Sequence, residues 1–274
     1  MSEIFDIFLL EAVLNGLLLG GLLALLSLGL NLVFGVIDVV WICYAELIMC
    51  GMYCVYYLHV QYHWPLLAAM AVAIALVAVL GWILHQFVIR PVLSAEPINQ
   101  LLVTGGVLFF LQAAATLAFG IEFKNLGVSL PSVRVGEMSF SASRLIAFMV
   151  ALGGVLGLWL FLSKTYLGTA IRAISQDRAV MPLMGVDPAR IFRLTSALGG
   201  ALAGLAGCLL VLQYDIHPAI GLSFGPITFL ICVLGGLGNM LGGFFLHVEW
   251  GYVAAFVFFI AVMFWRPQGL LGKT

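Results

Sequence analysis

Residues 164–193, KTYLGTAIRAISQDRAVMPLMGVDPARIFR, form a polar island in an otherwise apolar chain. The island holds Lys164, Arg172, Arg178, Arg190 and Arg193, five of the chain's 11 lysines and arginines, and hydrophobic runs lead up to it and away from it. Residues 167–181 have helix-forming composition, with Leu167, Ile171 and Ile174 recurring on one side and Arg172, Gln176 and Asp177 on another. Pro182 and Gly185 are expected to end that helix. Asp187-Pro188 then reads as the start of the next, with Asp as the N-cap and Pro at the first helical position. Such a short amphipathic helix either lies on a membrane surface or docks a soluble partner, and composition leaves both readings open.

Outward from the island, the 274 residues are 64% hydrophobic and 8% charged, far outside the range of water-soluble domains. The surroundings are lipid, and no nucleic-acid partner is expected. At about 20 apolar residues per span, this length predicts one all-α membrane protein over residues 1–274, a polytopic helical bundle of about 8 membrane helices, with no room for a soluble domain. Glu3, Asp6 and Glu11 precede any basic residue, which argues against a cleaved signal peptide. Cys43, Cys50, Cys54, Cys208 and Cys232 sit inside apolar runs without paired metal spacing and read as small core residues.

The apolar runs predict spans at residues 7–34, 36–58, 66–89, 101–119, 145–162 and 193–212. A polar connection is expected at 120–144 and a loop at 214–226. The second run is entered through Gly35 and carries Asp38, Tyr44 and Glu46. Carboxylates at such depth need a partner, water or a function. Asn15, Asn31 and Thr104 are further polar groups within spans. Gly16 with Gly20, Gly153 with Gly157, and the glycines of GGALAGLAG (199–207) are spaced for close helix approach.

Eight of the 11 basic residues fall at Arg90, in the island and at Arg266 and Lys273, whereas Lys124, Arg134 and Arg144 share one opposite connection. The positive-inside rule places the island and the C-terminus in the cytoplasm, and counting spans backwards leaves the N-terminus outside. Residues 227–265 must then make one net crossing. One solution is a broken or re-entrant pair: 227–234 dips in, turns at Gly235-Gly236-Leu237-Gly238-Asn239 and returns to 246, and 248–265 crosses. Two ordinary spans are the alternative. Non-helical backbone at that depth must be buried or line a wet cavity, so the break points at a pathway.

The C-terminal PQGLLGKT fails as a phosphate loop, because Pro267 stands where a glycine is needed and no strand precedes it. No Ser-His-Asp set, HExxH or CxxC is present, and the five histidines are scattered near span ends. The chain reads as a non-enzyme with no metal or cofactor of its own, and any ATP-driven motor must be another polypeptide.

The order GTAIRAISQDRAVMPLMGVDPARI, TSALGGALAGLAGCLL, VLGGLGNMLGGFF and FWRPQGLLGK, together with the N-terminal GLLLGGLLALLSLGLNLVFGVI, resembles the LivH-type permease subunits of high-affinity branched-chain amino acid ABC importers. The resemblance covers nearly the whole chain. It implies a bacterial inner-membrane permease domain paired with a second homologous permease subunit. Two cytoplasmic ATPase subunits would bind the ATP and Mg, and a periplasmic binding protein would deliver substrate. By position it assigns Ala170, Arg172, Ala173, Asp177, Arg178, Met184 and Gly185 to a cytoplasmic coupling loop (164–193). The substrate pathway would take Asn15, Asn31, Tyr44, Glu46, Thr104, Gly235, Gly236 and Gly238. Where the family reads N-F-A-H-G-[DE], this chain reads Trp41-Ile42-Cys43-Tyr44-Ala45-Glu46, with Glu46 matching and Tyr44 in place of the histidine. Relatives of that family also handle urea or short amides. The rival expectations are an ion-coupled secondary transporter or channel using Asp38 and Glu46, and a membrane enzyme or assembly factor.

Overall fold

The computed structural model describes residues 2–128, 132–135, 138–178 and 181–236. Helix α1 (Ser2–Ile37) runs for 36 residues, straight through the Gly35 at which a new span was expected to begin. It stops at Asp38, whose φ of 63° places it in the left-handed region and whose N–H donates to the Phe34 carbonyl at 2.9 Å. A short acidic side chain tolerates that backbone and so closes the helix. Residues 38–43 are non-helical, and α2 (Tyr44–Tyr56) is only 13 residues long before a π-helical turn, Tyr57–Gln61.

The third helix, α3 (Leu66–Leu84), continues through a π-helical turn (His85–Ile89) into α4 (Arg90–Val92), past the Arg90-Pro91 stop that was expected. The wide π turn ahead of Pro91 gives its ring room. Helices α5 (Pro97–Phe119) and α6 (Ala142–Lys164) follow. The connection between them departs from an all-helical fold: β1 (Ser132–Val135) pairs antiparallel with β2 (Met138–Ser141), Val133 opposite Phe140. Then come α7 (Tyr166–Gln176), a 3₁₀ turn (Met181–Met184), α8 (Pro188–Leu210) and α9 (Ile220–Gly236).

Among the described residues, five helical stretches are long and apolar enough to cross a membrane: Leu14–Ile37, Leu66–Val92, Pro97–Phe119, Ala142–Lys164 and Pro188–Leu210. The second expected span is therefore corrected, because the break at 38–43 takes its first third. The expected loop at 214–226 is also corrected, since α9 starts at Ile220 and contains Pro226. A proline removes one N–H and leaves one carbonyl unbonded, which an apolar helix tolerates when a cavity or neighbour takes up the slack. Gly235 and Gly236 end α9 as helix, whereas the expected turn at Gly238 and the crossing at 248–265 lie outside the described residues.

Helix α8 is the hub. Of its most apolar window 67% is buried, against 17% for α5 and for α6. Lipid is as apolar as leucine, so helices associate here through close backbone contact. A Cβ built on Gly200 would stand 2.5 Å from the Val77 carbonyl oxygen, and one on Gly81 2.7 Å from that of Ser196. On the α2 side, Gly207 faces the Ile48 carbonyl, 2.7 Å from where its Cβ would be. The GGALAGLAG expectation thus holds. Gly16, Gly153 and Gly157 meet nothing within 4 Å, and it is Gly154 that faces Leu25 and Leu205.

Candidate functional site

The break between α1 and α2 is non-helical backbone in which Val39, Trp41 and Cys43, each 1% exposed, alternate with exposed Asp38 and Ile42 and half-buried Val40. Its carbonyls are supplied with donors: Thr104 Oγ1 on α5 donates to Val40 O at 3.0 Å, and the Tyr44 and Glu46 N–H groups donate to Trp41 O and Cys43 O. Beside it lies a cavity of about 380 Å³, bounded by Leu30 of α1, Val40, Trp41 and Ile42 of the break, Tyr44 and Ala45 of α2, Leu101 and Leu108 of α5, and Gly221, Gly225, Pro226, Thr228 and Phe229 of α9. Pro226 has no N–H to give the Leu222 carbonyl, so α9 turns its weakened stretch toward this space.

Two buried polar groups here, the Tyr44 hydroxyl and the Glu46 carboxyl, have no hydrogen-bond partner among the described residues. Glu46 is fully buried, and its carboxyl fills the volume that a side chain on Gly221 would take. Gly221 thus stands between the cavity and the carboxyl. An ionised carboxylate in apolar surroundings demands a counter-charge or donor, and among the described residues none stands beside Glu46.

Of the expected pathway residues, the structure gathers Tyr44, Glu46 and Thr104 around this break. Asn31 is half-buried on α1 and outside the cavity lining. Asn15 sits at the far end of α1, where its Oδ1 accepts from Arg144 at 2.9 Å. Asp38 is exposed, on a separate cleft of about 640 Å³ that Phe34 and Gly35 share with residues 174–178. Asp38 and Glu46 therefore form no pair. Sequence reasoning missed Trp41 and Pro226 as cavity walls; for Pro226 the available signal was a proline next to Gly225, and for Trp41 there was none.

At the island, the chain reverses in one residue. Thr165 closes α6 and caps α7, its Oγ1 accepting the Gly168 N–H at 3.0 Å. Gly168 lies directly against the α6 backbone at Phe161 and Leu162, where no side chain fits. Ala170, Ile171 and Ile174 are buried, Ala173 is half-buried, and Arg172, Gln176 and Asp177 are exposed. Leu167, expected inside, is 39% exposed. The helix ends at Gln176, five residues before the expected Met181, because Asp177 takes extended backbone (φ −149°, ψ 107°). Leu183 and Met184 project from the 3₁₀ turn, 84% and 73% exposed, and Gly185 makes the following left-handed turn at φ 75°. Asp187 accepts the Ala189 N–H at 3.0 Å and pairs with Arg190 at 3.3 Å, so the expected N-cap holds and the sixth span starts at Pro188, not at 193. Arg178 is exposed as well, but its side chain reaches toward α1: its guanidinium donates to Val36 O at 3.0 Å and lies 5.6 Å over the Phe192 ring.

The opposite end is tied down by Lys124, whose Nζ donates to the Tyr57 hydroxyl at 2.7 Å and whose backbone bridges Ile216. Asn125 donates to Asp215 at 2.6 Å, and Phe123 stacks near His217. Burial holds the His217 imidazole below its ordinary value, against the opposing pull of Asp215, and burial raises the Tyr214 phenol despite nearby Arg144. Among the described residues no three His, Cys, Asp or Glu stand close enough to hold a metal.

Residues 12–266 match the family described as branched-chain amino acid transport system / permease component. The chain is 31% identical to the high-affinity branched-chain amino acid transport system permease protein BraD of Pseudomonas aeruginosa, covering 100% of this chain and 98% of the relative. It is 30% identical to the corresponding permease LivH of Escherichia coli, at the same coverage of both chains. Identity to the permease LivM of Escherichia coli is 26%, over 91% of this chain and 68% of the relative. No solved structure matches.

Proposed function

This chain belongs to the branched-chain amino acid transport system permease family, and on that premise we propose that it is the pore-forming permease subunit of an ATP-driven importer for aliphatic branched-chain amino acids. It is a multi-pass membrane protein, and in this reading it sits in a bacterial inner membrane with the island and the C-terminus in the cytoplasm and the N-terminus outside. Its partners are a second homologous permease, two cytoplasmic ATPases that bind the ATP and Mg, and a periplasmic binding protein. Residues 1–274 act as one permease domain, and 164–193 is its coupling loop.

The observation that carries the reading is α7. It is a helix seated on α6 by Gly168, buried along Ala170, Ile171 and Ile174, and open along Arg172 and Asp177, with Leu183 and Met184 exposed beyond it. A helix with one face locked into the bundle and the other presenting charge beside apolar side chains is built to receive a push. Alternating access follows if that push reopens and closes the seam between α2 and α9. On that seam the cavity takes the substrate's aliphatic side chain, and the Glu46 carboxylate, which has no counter-charge among the described residues, takes its ammonium. Gly235, Gly236 and Gly238 continue the pathway in the same reading.

The test is reconstitution with the ATPases, second permease and binding protein. Leucine uptake should require ATP, and Arg172→Glu should abolish ATPase association. Uptake by the chain alone under an ion gradient, without ATP, would establish the secondary-transporter reading in its place.

A further inference from the structure

Arg178 is exposed, like Arg172 and Asp177 on the same loop, yet its side chain reaches the end of another helix. Its guanidinium donates to Val36 O at 3.0 Å. Val36 is in the last turn of α1, where carbonyls have no partner within the helix and the helix dipole is negative, so a cation is held there by both hydrogen bond and field. The same guanidinium lies 5.6 Å over Phe192, in the first turns of α8, a cation–π contact. One side chain therefore adds a polar link between the segment after α7, the end of α1 and the start of α8, helices that also pack on one another directly, beside a cleft of about 640 Å³ walled by Phe34, Gly35, Asp38 and residues 174–178.

What lies beyond Val36 gives the contact its consequence. Two residues on, Asp38 takes the left-handed backbone, and the break at 38–43 begins, supplying Val40, Trp41 and Ile42 to the cavity wall. The far side of the break is held by Thr104 through Val40 O. A displacement of the end of α7 would thus be delivered to the break from one side while α5 holds the other.

Resting on the permease reading above, we propose that Arg178 is a positioning residue that transmits motion of α7 to the α1–α2 break and so opens or closes the cavity, and that it is not a contact for the ATPase. The assembled importer, with its ATPases, second permease and binding protein, is the preparation to test. Arg178→Ala should retain ATPase association and near-normal ATP hydrolysis, while leucine moved per ATP hydrolysed falls by about tenfold. Arg178→Lys, which keeps the charge but not the planar contact on the ring, should fall in between. Phe192→Leu, which keeps an apolar side chain against α8, covers the case in which Arg178→Ala does not assemble, and it should lower the same ratio. Spin labels at Ser175→Cys and Gly35→Cys should keep one separation with and without ATP in the otherwise wild-type complex and change separation in Arg178→Ala. An unchanged transport-to-hydrolysis ratio in Arg178→Ala overturns the proposal, as does loss of ATPase association by that variant. If Arg172→Glu breaks association while Arg178→Ala changes nothing, only the transmission role fails. If neither has any effect, the permease reading fails with it.

Discussion

The seam between α3 and α8 and the seam between α2 and α9 both rely on glycine, but for opposite ends. At the first, Gly81, Gly200 and Gly204 bring backbone onto backbone, and the space that a methyl group would need is occupied by main-chain atoms. At the second, Gly221 and Gly225 border an open cavity, Pro226 interrupts the helix ladder, and the polar side-chain atoms of Glu46 and Tyr44 are buried without partners among the described residues. One seam is closed backbone on backbone, whereas the other borders open space, where the proposed pathway would run. The difference separates scaffold from pathway more clearly than hydrophobicity does, because both seams are equally apolar.

The comparison breaks first at Gly200. Gly200→Ala forces a methyl group onto the Val77 carbonyl, and with main chain on both sides unable to yield, it should cost about 2–3 kcal/mol, read as loss of folded protein in a detergent thermal-unfolding series. Gly157→Ala, where a Cβ meets nothing, should be neutral or slightly stabilising in the isolated chain, since alanine is the better helix former. Equal losses at the two positions would end the distinction between packed and unpacked glycines.

At the open seam, stability and function should move in opposite directions. Glu46→Gln replaces a carboxylate by a neutral group of the same size, so the purified chain should unfold at a higher temperature. If the carboxylate holds the substrate's ammonium, the apparent affinity of leucine uptake should fall about tenfold, roughly 1.4 kcal/mol. Higher stability with unchanged uptake would make Glu46 a buried residue without a substrate role.

How much of this was legible beforehand follows the same divide. The GGALAGLAG glycines, the Asp187-Pro188 helix start and most of the span-length runs were readable because each depends on local composition and short-range capping. The break at 38–43 was not. Residues 36–58 look continuous in hydropathy, and only tertiary contacts, with Thr104 reaching Val40 from 64 positions away in sequence, make it possible to bury non-helical backbone there. Pro226 misled for a related reason: proline marks loops in water, yet α9 keeps it by placing it beside a cavity. Arg178 is exposed like its neighbours Arg172 and Asp177, and nothing local says that its guanidinium reaches α1 and the Phe192 ring.

Thr104→Val sharpens the comparison at smaller scale. It removes the hydroxyl that donates to Val40 O while keeping the shape, and should cost about 1 kcal/mol of stability. Because that bond fixes one end of the break, uptake should fall by more than the stability loss accounts for. The matching change on the rigid side, Ser196→Ala, removes a buried hydroxyl that has no partner among the described residues and should leave uptake unchanged. Similar uptake for the two variants would mean that the break is as passive as the scaffold.

The smallest effect expected lies in the loop leading into α9. His217 is held below the ordinary histidine value by burial, with Asp215 opposing. The unfolded chain therefore binds a proton more readily than the folded one, so stability rises with pH through the range just below the ordinary histidine value and is lost as pH falls through it. The ring is only partly enclosed, which keeps the slope shallow. His217 and its neighbours Tyr214 and Asp215 form, with Ile220, Ser223 and Phe224 of α9, the wall of a second cavity of about 270 Å³ against Leu19 and Leu23 of α1. Protonation should therefore loosen the α1–α9 side before it touches the α3–α8 seam. Hydrogen exchange at mildly acidic and neutral pH reads this directly: amides at the start of α9 should exchange faster at the lower pH, those flanking Gly200 should not, and His217→Gln should remove the difference. A pH response of equal size at Gly200 would show that the two seams are not mechanically separate.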